Sequence, residues 1–95
     1  MTAKFAVRST PRFDRLLKKL AHTHSELPER FAEAVTILSA DPYNVTRSYS
    51  IRKLKGVGPG EGLYRLRLGR WRFRYNILGR EVELSYCGLR REDTY

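Results

Sequence analysis

One cysteine, Cys87, in 95 residues leaves no partner for an intramolecular disulfide, which excludes a secreted scaffold held by disulfides. Long apolar runs are also missing. No stretch approaches the roughly 20 apolar residues of a membrane span, and Met1 to Ser9 alternates apolar with basic residues instead of carrying the apolar run of a signal peptide. A cytoplasmic chain with no membrane partner is therefore expected. Histidine occurs twice, at His22 and His24, without the Cys, Asp or Glu spacing of a metal site, so a helix-end role is expected and neither a metal nor a small-molecule cofactor. The glycines from Gly58 to Gly62 lack the Lys and Ser or Thr of a phosphate-binding loop. Acidic residues are scarce: 10 Asp plus Glu stand against 19 Lys plus Arg, a net charge of +9. Such a balance favours a polyanionic partner through counterion release, whether nucleic acid, an anionic membrane surface or an acidic protein.

The length fits one domain, residues 1–95, with one modest core. Phe5, Ala6 and Val7 read as a short strand, closed by Ser9, Thr10 and Pro11, a hydroxyl cap followed by proline in a first helical turn. Phe13, Leu16, Leu17 and Leu20 then recur at helical spacing among basic residues. A second helix starts at Pro28 and Glu29, buries Phe31, Ala34, Val35 and Leu38, and ends at Asp41 and Pro42. Tyr43 to Tyr49 reads as a connecting loop, and Val57 to Gly62 as a turn. Beyond it the period falls to two. Tyr64, Leu66 and Leu68 alternate with Arg65 and Arg67. After Gly69 and Arg70, Trp71, Phe73, Tyr75 and Ile77 alternate with Arg72, Arg74 and Asn76, and Val82, Leu84 and Tyr86 supply a last strand. The expected fold is α+β: an N-terminal strand, a helical hairpin, then a three-stranded antiparallel meander with the helices packed on one face of the sheet.

Alternation that sends Leu66 and Phe73 inward sends Arg65, Arg67, Arg72 and Arg74 together to the opposite face. Guanidiniums gathered on neighbouring strands repel unless an anion lies among them. Solvated charges that block edge pairing are the plainer reading, but surface strands without a partner ordinarily mix signs, and no Glu is interleaved between Arg65 and Arg74. Arg90, Arg91 and a terminal Tyr95 follow the last strand; an exposed tyrosine there is suited to stacking on an unpaired base, or else covers an apolar gap in a frayed tail. Cys87 reads as a half-buried strand cysteine.

The run Leu54-Lys55-Gly56, the segment from Tyr64 to Tyr75 and the ending from Arg90 to Tyr95 resemble the RelE branch of the RelE/ParE toxin superfamily, and the likeness extends over nearly the whole chain. The resemblance implies the toxin of a toxin–antitoxin pair, a metal-independent endoribonuclease that cuts messenger RNA in the ribosomal A site. The implied partners are the ribosome with its messenger RNA and a RelB-like antitoxin presenting an amphipathic helix and acidic residues. By position it assigns the basic pair of the first hairpin strand to Arg65 and Arg67, the next arginine to Arg72, and the carboxyl-terminal pair to Arg90 or Arg91 with Tyr95. Attack by the 2′-hydroxyl needs that hydroxyl deprotonated, the pentavalent phosphate stabilised and the 5′ oxygen protonated. Arg72 is expected to clamp the phosphate, Arg65 and Arg67 to position the backbone, Arg74 to add to the RNA-binding face, Tyr95 to stack, and Arg90 or Arg91 to support the leaving group. Some family members carry lysines where this chain has Arg65 and Arg67, and an arginine is a poor general base. Lys53 and Lys55 are expected to bind RNA, and become candidate bases if a desolvated, arginine-rich site lowers a lysine pKa; the ribosome is the other source of a base. Two other readings stay open: a ParE-like poison of DNA gyrase, and an RNA-binding module without catalysis.

Overall fold

The computed structural model describes residues 4–56, 58 and 62–89. Its elements run β1 (Ala6–Ser9), α1 (Pro11–Thr23), α2 (Leu27–Ala40), β2 (Ile51–Lys53), β3 (Tyr64–Leu68), β4 (Trp71–Leu78) and β5 (Glu81–Leu89). Helix α1 begins where the hydroxyl-proline signal lies: Thr10 Oγ1 accepts from the Phe13 backbone N–H at 3.1 Å, and Pro11, which has no N–H to satisfy, occupies the first turn. His24 caps its end, donating its backbone N–H to Leu20. Helix α2 stops at Asp41, whose carboxylate organises the following loop by accepting from the N–H groups of Val45 and Thr46 and from the Thr46 hydroxyl. Burial raises the Asp41 pKa, and those three bonds, aided by the charge of Lys4, more than offset it, leaving the carboxyl below its ordinary range.

The sheet is mixed and five-stranded, in the order β1-β5-β4-β3-β2, with β1 parallel to β5 and the other pairs antiparallel. It departs from the expected three-stranded meander in two ways. Ile51–Lys53 adds a fourth antiparallel strand at one edge, too short to announce itself by alternation, and the N-terminal strand joins the other edge. One face packs on the helices. Phe13 from α1 and Leu27, Ala34, Ile37 and Leu38 from α2 meet Leu66, Trp71, Phe73, Tyr75, Val82, Leu84 and Cys87 from the sheet. Each large side chain wholly withdrawn from water there contributes about 1.5–3 kcal/mol. The Tyr75 hydroxyl, buried in this layer, donates to the Pro42 carbonyl at 2.6 Å and so ties the sheet to the end of α2.

Glu26, just before α2, joins the helices to the β3–β4 hairpin: one of its oxygens accepts from Arg70 at 2.9 Å and from the Trp71 indole at 3.1 Å. The hydrogen bond from Arg70 is the main reason its pKa falls from 4.5 to about 2. A carboxyl depressed in the folded state stabilises the fold above its unfolded pKa and loses that contribution as pH falls from about 4.5 toward 2. Glu26→Gln is therefore expected to melt below the wild type at pH 7, with the gap narrowing by pH 3. A gap of equal size at both pH values would refute this role.

Candidate nucleic-acid interface

On the face away from the helices, register assembles what the sequence implied. Arg65 pairs with Arg74 and Arg67 with Arg72 across the β3–β4 hairpin, and Arg52 on β2 pairs with Arg65. Directly opposed residues on adjacent strands hold their Cβ atoms about 4.5–5.5 Å apart. The result is one cross-strand row, Arg52, Arg65, Arg74 and Tyr86, beside a second in which Arg67 and Arg72 continue to Gly88. No acidic residue stands in register with any of these five arginines among the described residues. Acidic side chains on the same face cluster where β1 meets the start of β5, and there they are matched: Arg8 lies 3.2 Å from Glu83 and 3.6 Å from Glu81. Among the described residues, charge on this face is thus segregated into an end where two carboxylates share one arginine and an end where arginines gather.

A cavity of about 150 Å³ opens at the β2 side of the basic end, lined by Tyr49, Ser50, Ile51, Arg52, Arg65 and Arg67. At about 30 Å³ per water, it has room for about five waters or a small anion. Its wall is the loop that leaves α2, closed by a reciprocal pair in which the Asn44 side chain donates to the Tyr49 carbonyl and accepts from the Tyr49 N–H. Asn44 and Arg47, both in this loop, adopt left-handed backbone with φ of 57° and 58°. The polar loop expected from the sequence is a built structure that fixes one side of the cavity.

The structure does not bring all the expected site residues together. Arg65, half-buried, and Arg67, exposed, line the cavity. Arg72 stands beside Arg67, half-buried, one strand further in. Arg74 is engaged within the fold, donating from Nη2 to the Gly62 carbonyl at 3.1 Å, so it anchors the segment before β3 as well as adding charge. Lys53 is displaced from the basic rows: it pairs with Tyr64 on the helix side of the sheet, its ammonium 6.0 Å from the centroid of that ring. Strand alternation gives the place on the basic face to Arg52, which the sequence reading passed over. Lys55 is exposed beyond the end of β2. Arg90, Arg91 and Tyr95 lie outside the described residues.

No carboxylate or imidazole occupies either row, so the face offers positive charge and hydrogen-bond donors, the equipment for gripping a phosphate and stabilising charge that develops on it. Cys87 points into the core, where burial pushes its thiol up to about 12, which removes it as a nucleophile near neutral pH. His24 packs edge-on against Trp71 at 5.2 Å in the role of a helix-end residue. Among the described residues no three His, Cys, Asp or Glu side chains gather as a metal site, and no helix is long and apolar enough to cross a membrane. No protein-family model, curated protein or solved structure matches this chain.

Proposed function

We propose that this protein is an endoribonuclease toxin of the RelE kind, which cuts messenger RNA in the ribosomal A site and is held in check by a RelB-like antitoxin. The observation that carries the reading is the pair of opposed arginine rows, Arg65 against Arg74 and Arg67 against Arg72, extended by Arg52. Like charges placed directly opposite one another destabilise a sheet, so the arrangement finds its reason in a bound polyanion. A helical pair covering one face of a sheet, with an antiparallel hairpin carrying the arginines on the other, agrees with the resemblance drawn from the sequence.

In this reading the RNA backbone crosses the basic face with the scissile phosphate near Arg72. The 2′ oxygen loses its proton and attacks phosphorus, the bond to the 5′ oxygen breaks as that oxygen takes a proton from water, and a cyclic 2′,3′-phosphate and a 5′-hydroxyl result. Arg72, Arg67 and Arg65 hold the phosphoryl oxygens as their charge grows, which is stabilisation specific to the transition state. Lys53, on the far side of the sheet, and Lys55, beyond the end of β2, both stand outside the arginine rows and drop out as the base. The ribosome supplies the proton acceptor, and an enzyme built this way depends on ribosomes for cleavage. The antitoxin covers the same face with acidic side chains.

Primer extension on a reporter messenger RNA in a translating extract tests this directly. Cuts are expected only when ribosomes are present. The lack of a base in the rows favours one other reading, a module that binds RNA without cutting it. Folded protein that yields no cuts in either extract while retaining salt-sensitive RNA binding would establish that reading in place of the nuclease.

A further inference from the structure

The last strand contains an irregularity that changes which side chains face the arginines. Val82 and Leu84 point into the core, and simple alternation would send Tyr86 after them. Instead the β4–β5 register shifts between Arg74 and Tyr75: Tyr75 pairs with Leu84, Arg74 with Tyr86, and Ser85 is the extra residue. Its hydroxyl lies 3.4 Å from the Arg74 carbonyl. A bulge of one residue reverses the alternation beyond it. Cys87 therefore becomes the core residue, and Tyr86 emerges on the basic face at the end of the row Arg52, Arg65, Arg74.

The surroundings of Tyr86 are shaped for a flat ring. The next residue on that face is Gly88, where an added Cβ would lie 2.6 Å from the tyrosine Oη and 3.0 Å from its Cζ. The phenol therefore lies along the strand over a position that has no side chain, its hydroxyl end above the register partner of Arg72. From the start of α1, the exposed Arg12 brings its guanidinium carbon to 5.5 Å from the ring centroid. An aromatic ring set among Arg12, Arg72 and Arg74 combines the two elements that bind single-stranded nucleic acid, a cationic track for phosphates and a π-face for a base. A carboxylate-bearing peptide would use the guanidiniums and gain little from the ring.

Building on the reading of this face as an RNA site, we infer that Tyr86 is a base-stacking site for single-stranded RNA. It receives the base of a nucleotide whose phosphate lies between Arg72 and Arg74, with Arg12 moving from the ring to the backbone. The site is created by the Ser85 bulge and the bare backbone of Gly88.

The test compares two fluorescein-labelled, cleavage-resistant probes of equal charge by anisotropy: a 2′-O-methyl octauridylate and a fully abasic 2′-O-methylribose-phosphate octamer. Wild type is expected to prefer the base-bearing probe. In Tyr86→Leu that preference falls by about five- to thirtyfold through weaker binding of the octauridylate alone. Gly88→Ala, which pushes the phenol aside, has the same effect, while Tyr86→Phe keeps the preference. Circular dichroism melts report that each variant is folded. If the preference survives both Tyr86→Leu and Gly88→Ala in folded protein, the stacking site is refuted and the RNA reading stands. If neither probe binds, or Arg72→Ala binds both as wild type does, the RNA reading fails and the stacking site with it.

Discussion

Arg72→Ala is expected to lower ribosome-dependent cleavage by about 10²–10³-fold or more, the loss that accompanies removal of one well-placed group stabilising a transition-state charge. Arg72 lies inside the basic face, opposed to Arg67 on one side and to Gly88 on the other, whereas Arg74 is tied to the Gly62 carbonyl before β3. Arg72→Lys keeps the charge but loses the planar fork that grips two oxygens at once, and is expected to fall between the alanine variant and wild type. Stability provides a second readout that separates a working site from a structural one. Arg67 is exposed and faces Arg72 directly. Its removal relieves repulsion between like charges, so Arg67→Ala is expected to weaken cleavage while leaving the melting temperature at low salt unchanged or higher, by an amount corresponding to a few tenths to about 1 kcal/mol. Added salt should raise the wild-type melting temperature more than that of Arg67→Ala, because screening removes the same repulsion. If Arg67→Ala is instead markedly destabilised, the arginine belongs to the scaffold and the argument from opposed charges collapses.

How much of this was legible in the sequence depends on whether a pattern was long enough to read. The helices announced themselves near their starts, through Thr10 with Pro11 and through Pro28 with Glu29, one residue inside the observed start at Leu27, and through apolar side chains at helical spacing. The hairpin of β3 and β4 was legible because thirteen residues alternate almost without exception, and from that alternation came the shared face of Arg65, Arg67, Arg72 and Arg74. Ile51–Lys53 offers a single alternation, indistinguishable from loop by period. Missing it meant missing Arg52 and leaving Lys53 with no assigned face. The bulge hides differently, since one inserted residue inverts every later position: plain alternation from Leu84 would carry Tyr86 into the core, yet it stands half-buried on the basic face, and Cys87 is fully buried instead of half-buried. The spacing of three between Leu84 and Cys87, where two is the rule, is the only sequence signal of that inversion. Nothing local could have joined Glu26 to Arg70 and Trp71, which lie 44 and 45 residues away and meet only once the helices dock.

Gly62→Ala is expected to be the most damaging single methyl that can be added to this fold. Gly62 has φ of +84°, left-handed backbone that a side chain disfavours by roughly 1–2 kcal/mol. Crowding adds to that strain. A Cβ there would stand 2.7 Å from Ser85 Oγ, 2.9 Å from the Tyr75 backbone nitrogen and 3.0 Å from the Arg74 Cβ. The serine hydroxyl can rotate away, but the Tyr75 nitrogen belongs to the sheet at the point where the β4–β5 register shifts, so relief must come from moving the segment before β3. That movement breaks the bond from Arg74 to the Gly62 carbonyl and strains the one from the Leu63 N–H to Asn76. Together these effects are expected to cost about 2–4 kcal/mol, lowering the melting temperature by on the order of 10–20 °C. Gly79→Ala isolates the backbone component, because Gly79 is also left-handed, with φ of +64°, yet has nothing within 4 Å of an added Cβ. Equal losses in the two variants would mean that the contacts at Gly62 carry no weight. A much larger loss at Gly62 would identify close approach over the bulge as what holds Arg74 and the start of β3 in place, and would tie the stability of the fold to the geometry of its basic face.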